Sequence, residues 1–177
     1  ISSQPEIIKV FQANHIAREV TLQVNDEKEI KPLKEVVESL SSYSTAQLSS
    51  KEIDYSRALL QTETKEVGKQ KVQIHRLSIP RGETFKVVLS EGTEVFLNSD
   101  SRLAYPTVFK GKERVVSLEG EAYFKVAKDA AHPFIVKSGN LQIRVLGTEF
   151  NVRSYSPTDV RVTLITGKVA VSDTCGV

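Results

Sequence analysis

The sequence has little of the residue types from which metal sites and disulfide frameworks are built. Its 177 residues include one cysteine, Cys175, and three histidines, His15, His75 and His132. A lone cysteine excludes a disulfide framework and a multi-cysteine metal site. No histidine stands at metal-ligand spacing from another. The sequence therefore predicts no metal, cofactor or catalytic histidine, and His75 is expected at a surface or sheet edge.

Methionine and tryptophan are absent altogether. A chain that begins at Ile1 without methionine is expected to have lost a preceding signal or anchor. No segment approaches the run of about 18 apolar residues that crosses a membrane, so any anchor is expected outside these residues. The 24 basic and 22 acidic side chains are interspersed and leave a net charge of +2, which argues against nucleic-acid binding.

The N-terminal part of the chain mixes two patterns. VTLQV at 20–24 alternates as a short strand does, and the following NDEK is typical of a turn. Leu33, Val36, Val37 and Leu40 have helical spacing behind Pro32, which predicts one short helix. The segment SSYSTAQLSSKE is typical of a loop or weak hairpin, and EIDYSRALLQTETKEV fits either a strand or a helix.

From residue 71 onward the apolar residues recur with a period close to two. Val72 and Ile74, and after a change of phase Leu77 and Ile79, are expected to face inward. Glycine separates most of the strand-like segments, and the predicted turns contain Gly92, Gly120, Gly139 and Gly167. This pattern predicts an all-β fold of serial antiparallel hairpins, forming a twisted two-sheet sandwich or a solenoid-like stack, with at most one short N-terminal helix.

The remaining polar candidates for chemistry have simpler explanations. Glu119 and Glu121 flank a glycine and could form an acid pair, but charged residues beside a turn usually solvate it. Lys110, Lys112 and Arg114 form a small basic cluster that is more typical of a solvated loop than of a nucleic-acid site. No G-x-S-x-G elbow or cysteine–histidine pair is present, so the sequence predicts no enzyme.

Three aromatic residues are candidates for a binding surface. Tyr105, Tyr123 and Phe124 could form a row that binds sugar rings or a partner, although packing across neighbouring strands is the commoner outcome. An exposed platform with adjacent polar groups would favour a carbohydrate-binding or adhesive domain that uses Tyr105 or Tyr123. Burial of these tyrosines would favour a role without a sugar ligand.

Two segments carry a family resemblance that the folding pattern does not explain. IPRGETFKVVLSEGTEVFLNSDSRLAYP and LEGEAYFKVAKDAAHPFIVKSGNLQIRVLGTEFNV resemble the FecR family of transmembrane anti-sigma regulators, particularly its Bacteroidetes branch, and the resemblance runs from about residue 79 to 171. The family often has tryptophan at the place of Phe96, Asp-Gly at the place of Glu91-Gly92, and an acidic residue at the place of Lys125. These departures preserve the hydrophobic pattern.

The resemblance implies a specific place in a signalling protein. Residues 71–177 would be the FecR-like β-domain, and residues 1–70 a juxtamembrane segment that is part of it or packed on it. Such proteins have a cytoplasmic segment that binds an extracytoplasmic-function sigma factor, one inner-membrane helix, and a periplasmic region. A TonB-dependent outer-membrane transducer presents its signalling domain to that region. On this reading the strands between Asp159 and Asp173 are expected near a free edge that contacts a partner or a further segment.

Overall fold

The computed structural model describes residues 19–25, 28–40, 47–56 and 72–174. His15 and most of the segment left open between strand and helix lie outside these residues. The described part contains 14 strands and one helix: β1 (Thr21–Val24), β2 (Lys31–Pro32), α1 (Leu33–Leu40), β3 (Gln47–Leu48), β4 (Glu52–Asp54), β5 (Ile74–Ile79), β6 (Phe85–Val88), β7 (Glu94–Leu97), β8 (Ser101–Pro106), β9 (Arg114–Lys125), β10 (Phe134–Ser138), β11 (Leu141–Val145), β12 (Glu149–Ser156), β13 (Asp159–Thr166) and β14 (Ala170–Asp173).

The strands form two sheets that share β9. Sheet A has the order β2-β1-β5-β8-β9-β10-β11-β14, and sheet B has the order β3-β4-β6-β7-β9-β12-β13. All pairings are antiparallel except β4 with β6 and β9 with β10. One core cluster contains buried side chains from both sheets, such as Leu77 and Leu103 from sheet A and Val87 and Phe150 from sheet B. The predicted all-β fold is confirmed, and the described residues contain one short helix in the N-terminal part of the chain.

Strand β9 passes from one sheet to the other at Gly120. Its neighbour Glu119 pairs with Arg102 in sheet A, whereas Glu121 pairs with Arg153 in sheet B. Gly120 has a φ of 93°, and a Cβ there would lie 2.8 Å from the Cα of Ser101. The prediction of a hairpin turn at this glycine was wrong. The residue bends a continuous strand at a point of close backbone approach, which a sequence pattern cannot distinguish from a turn.

The other predicted turns divide into two groups. Hairpins join β6 to β7 through Gly92 and β10 to β11 through Gly139, as expected. Gly167 does not form one, because β13 pairs with β12 whereas β14 pairs with β11. The chain crosses between the sheets at this point, so the prediction of a local hairpin there was wrong.

Strand β5 keeps a single phase. His75, Leu77 and Ile79 are buried, and Ile74 is exposed, so the predicted change of phase does not occur in this strand. Two N-terminal predictions are confirmed, because the strand within 20–24 and the helix that begins at Leu33 are both present. Among the described residues, no helix has the length and apolar character needed to cross a membrane.

Candidate functional site

The four outermost strands of the two sheets differ greatly in length. At the ends formed by the N-terminal part of the chain, β2 and β3 have two residues each. At the opposite ends, β13 has eight residues and β14 has four, and within the described residues each of them pairs on one side only. Unpaired backbone N–H and C=O groups on a long outer strand can accept a further strand.

Exposed apolar side chains concentrate beside these two edges. Eight large apolar side chains are exposed among the described residues, and five of them belong to this region: Leu146, Tyr155, Leu164, Ile165 and Val171. Leu164 pairs with Phe150, which is fully buried, yet Leu164 itself is 44% exposed. A side chain on the core-facing side of an outer strand stays exposed when no layer covers it. The β13 and β14 edges, with these five residues, form the candidate contact site.

The aromatic residues singled out above do not form a common platform. Tyr105 and Phe124 are buried in the core, at 1% and 0% exposure. Tyr123 lies on the outer face of sheet B, where its ring contacts the exposed Phe96 at 5.8 Å and its hydroxyl donates to Glu149 at 2.7 Å. That hydrogen bond raises the pKa of Tyr123. Phe96 and Tyr123 therefore form one cross-strand aromatic pair, and the polar end of Tyr123 is already engaged.

His75 lies in a buried polar cluster and not at a surface or edge, so that prediction was wrong. Its Nδ1 is 2.8 Å from the hydroxyl of Tyr55, which is 2.9 Å from the hydroxyl of Tyr105. The three rings meet edge-to-face at centroid distances of 5.5–6.0 Å. Tyr55 follows β4 of sheet B, and the other two residues belong to sheet A. The cluster joins the two sheets, and the histidine is buried between them.

Burial keeps all three groups of this cluster uncharged. It lowers the pKa of His75 from 6.5 to about 4 and raises the pKa of both Tyr55 and Tyr105. The Nε2 atom of His75 is buried and has no hydrogen-bond partner in the described part of the chain. A neutral histidine with one unsatisfied nitrogen costs less than a buried imidazolium would, but it leaves the cluster short of full stabilisation.

Arg114 is also buried, contrary to the prediction that the cluster of three basic residues lies in a solvated loop. Its guanidinium forms an ion pair with Glu91 at 3.1 Å and donates to the carbonyl oxygens of His132 at 2.7 Å and Ala127 at 3.0 Å. It also lies 5.3 Å from the ring centre of Phe134. The residue ties the start of β9 to two loops. Lys110 and Lys112, by contrast, are exposed as predicted.

The two glutamates considered as an acid pair have separate partners. Glu119 pairs with Arg102 at 3.3 Å, and both side chains are more than 70% exposed. Glu121 accepts hydrogen bonds from Asn151 at 2.9 Å and from Asn98 at 3.2 Å. The geometry gives each carboxylate a structural role on the surface. No cluster of three metal-ligating side chains occurs among the described residues.

The described residues form an all-β module in which the outer strands β13 and β14 each pair on one side only. A family model described as FecR protein matches residues 75–170, which is more than half of the chain. The chain therefore belongs to the FecR family.

Two solved structures resemble this chain closely enough to compare. Each is a crystal structure, one at 2.50 Å and one at 1.65 Å resolution, of a proposed anti-sigma factor from Parabacteroides distasonis ATCC 8503. The first is 39% identical with a TM-score of 0.56, covering 58% of this chain and 49% of that one. The second is 40% identical with a TM-score of 0.54, covering 57% and 48% respectively. The match thus spans about half the length of these structures, and no curated protein matches significantly.

Proposed function

We propose that this chain is the periplasmic signal-receiving domain of a transmembrane anti-sigma regulator. It relays the state of a TonB-dependent outer-membrane transducer to an extracytoplasmic-function sigma factor. The observation that supports this proposal most directly is the FecR match over residues 75–170, together with two similar structures described as proposed anti-sigma factors. The role is regulatory and not enzymatic, the sigma factor being bound by a cytoplasmic segment outside these residues.

In this proposal the signal is received by contact at the candidate contact site. An extended segment of the transducer's signalling domain adds to β13 or β14, main-chain hydrogen bonds supply the affinity, and the exposed apolar side chains supply selectivity. In this proposal residues 1–70 are the juxtamembrane segment, which is part of the β-domain or packed on it. The eight-residue length of β13 and the exposed apolar residues beside both edges favour this mode over docking on the central sheet faces.

The alternative of a carbohydrate-binding or adhesive domain has less support. It depended on Tyr105 or Tyr123 standing exposed with free polar groups nearby. Tyr105 is buried, and the hydroxyl of Tyr123 is committed to Glu149. One cross-strand pair with Phe96 offers a sugar ring little stacking area.

The test places a lysine on each of the two edge strands and compares its effect with that of a lysine on the outer face of sheet B. Leu164→Lys and Val171→Lys replace side chains that are 44% and 48% exposed, and Phe96→Lys replaces one that is 40% exposed on the outer face of sheet B. Lysine on an outer strand hinders the addition of another strand. The intact protein carrying these changes is expressed in its own cells with a reporter for the sigma factor.

We expect the combined edge variant to lose the transcriptional response to inducer, while Phe96→Lys retains it. Protease added after the outer membrane is opened should cleave the domain, and protease added to intact cells should not. A domain protected until the inner membrane is broken would refute the periplasmic location. An edge variant that folds, shown by an unchanged circular dichroism spectrum, and responds normally would refute contact at these edges.

A further inference from the structure

Strand β4 is attached to the domain by few backbone hydrogen bonds. It has three residues and lies between β6 and the two-residue strand β3. Outside the strand ladder itself, the amide of Lys86 donates to the carbonyl of Lys51 at 2.9 Å, and the amide of Tyr55 donates to the carbonyl of Val88 at 2.8 Å. These two bonds close the ends of a short parallel pairing. By comparison, β9 runs for 12 residues through the centre of both sheets.

Two buried side chains anchor this segment in the core. Ile53 is fully buried within β4, and Tyr55 directly after it is 4% exposed. On the outer side, Glu52 forms an ion pair with Lys86 at 3.4 Å. Both side chains are partly exposed, and such pairs contribute little to stability. The attachment therefore depends on how well the core accommodates Ile53 and Tyr55.

The buried polar cluster around Tyr55 has one atom without a hydrogen bond even when the tyrosine is in place. The Tyr55 hydroxyl forms hydrogen bonds with His75 Nδ1 and the Tyr105 hydroxyl, but the Nε2 atom of His75 stays buried without a partner among the described residues. If the segment withdrew, water could reach all the polar atoms of this cluster, including that nitrogen. Part of the cost of opening is thereby offset, which distinguishes this attachment from a purely apolar one.

We infer that residues 51–55 form a latch that opens as a unit while the strands other than β3 and β4 remain folded. The role of the latch in signalling rests on the proposed function. In that role, opening of the latch is the movement that passes the signal from the β-domain to the segment before it in the chain. The latch itself is a property of this chain and can be measured without any partner.

Hydrogen exchange read residue by residue by NMR tests the latch directly. The amides of Tyr55 and Lys86 report opening from its two sides, and the amide of Leu118 in β9 reports unfolding of the core. We expect the two reporter amides to exchange through an opening at least about tenfold more frequent than that of Leu118 and less dependent on denaturant. Equal rates and equal denaturant dependence would overturn the inference.

A hydroxyl deletion then tests the role of the polar cluster. Tyr55→Phe leaves His75 and Tyr105 without their shared partner, so exchange at Lys86 should accelerate about tenfold or more, with little change at Leu118. The matched control is Tyr155→Phe, which removes an exposed hydroxyl that donates to Ser99 and should leave Lys86 unaffected. Equal acceleration at Lys86 and Leu118 would show that no separate latch exists. If Tyr55→Phe fails to fold, the exchange rates of the unmodified protein still decide the question.

A disulfide closes the latch reversibly and separates this inference from the proposed function. Glu52 and Lys86 are register partners on neighbouring strands, a spacing that a disulfide spans, and Cys175 is replaced by serine to prevent mispairing. The oxidised Glu52→Cys/Lys86→Cys protein should lose the fast exchange at position 86 and regain it on reduction. In cells it should no longer release the sigma factor upon induction. Fast exchange that survives oxidation refutes the latch. A latch confirmed by exchange, in cells that still respond when it is locked, refutes its signalling role alone.

Discussion

The buried ion pair between Arg114 and Glu91 gives the most decisive stability prediction. The two side chains are 3% and 20% exposed, and the guanidinium also bonds the carbonyls of His132 and Ala127. Replacing Arg114 by alanine removes the ion pair and both hydrogen bonds and leaves Glu91 without its counter-charge. Breaking a buried pair by removing one partner costs about 3–5 kcal/mol. We therefore expect Arg114→Ala to lower the free energy of unfolding by about that amount.

A second ion pair, which joins β8 to β9, provides a matched control. Arg102 and Glu119 are 3.3 Å apart but 72% and 75% exposed, and exposed pairs contribute only about 0–1 kcal/mol. Arg102→Ala should therefore change stability very little. Equilibrium urea unfolding followed by circular dichroism measures both variants. For a chain of this size each kcal/mol lowers the melting temperature by roughly 2–4 °C, so the two variants should be clearly separated.

The comparison can refute the reasoning in two ways. If Arg114→Ala falls within about 1 kcal/mol of Arg102→Ala, the buried pair does not stabilise the start of β9 as its geometry indicates. A double-mutant cycle with Glu91→Ala provides the second check, because contacting groups should show a coupling of at least about 0.5 kcal/mol. Additive effects of the two alanine changes would mean that the arginine acts through its carbonyl partners alone.

Two further predictions concern pH and backbone geometry. The pKa of His75 falls from 6.5 to about 4 on folding, so the folded state resists protonation, and its contact groups Tyr55 and Tyr105 supply no compensating negative charge. The free energy of unfolding therefore declines by about 3 kcal/mol through this histidine as the pH falls from 6.5 to 4. His75→Gln should lack this decline when urea unfolding is measured across that pH range. Identical pH profiles for the two proteins would contradict the prediction. Gly120→Ala combines a φ of 93° with a Cβ 2.8 Å from the backbone of Ser101, so it should cost about 2–5 kcal/mol. Gly92→Ala, at a φ of 91° but in open space, should cost only about 1–2 kcal/mol in the same unfolding assay, and equal losses would show that close approach is unimportant at Gly120.

Local pattern predicted the local elements of this fold well. The hairpins at Gly92 and Gly139 and the helix that begins at Leu33 depend on neighbours within a few residues, and all three are present. Gly120 and Gly167 stand in similar sequence patterns but form no hairpin. At each of them the chain passes from one sheet to the other. Whether a glycine between two strands makes a hairpin or passes the chain to the other sheet depends on which distant strands are available to pair.

The same distinction explains the errors at His75 and Arg114. Each is polar and lies in or beside an alternating strand, which favours exposure on average. His75 is buried because Tyr55, 20 residues away, and Tyr105, 30 residues away in sheet A, meet it between the sheets. Arg114 is buried because the loop that contains Ala127 and His132 folds back over it.

The sequence alone determined the all-β class, the short helix that begins at Leu33 and the family, because period-two apolar residues, helical spacing and a distinctive run of residues are local properties of a chain. Only the tertiary structure decided that β9 belongs to both sheets and that β13 and β14 are outer strands with exposed apolar residues beside them. Pairing between distant strands is selected by the packing of a common core, and no single segment contains that information.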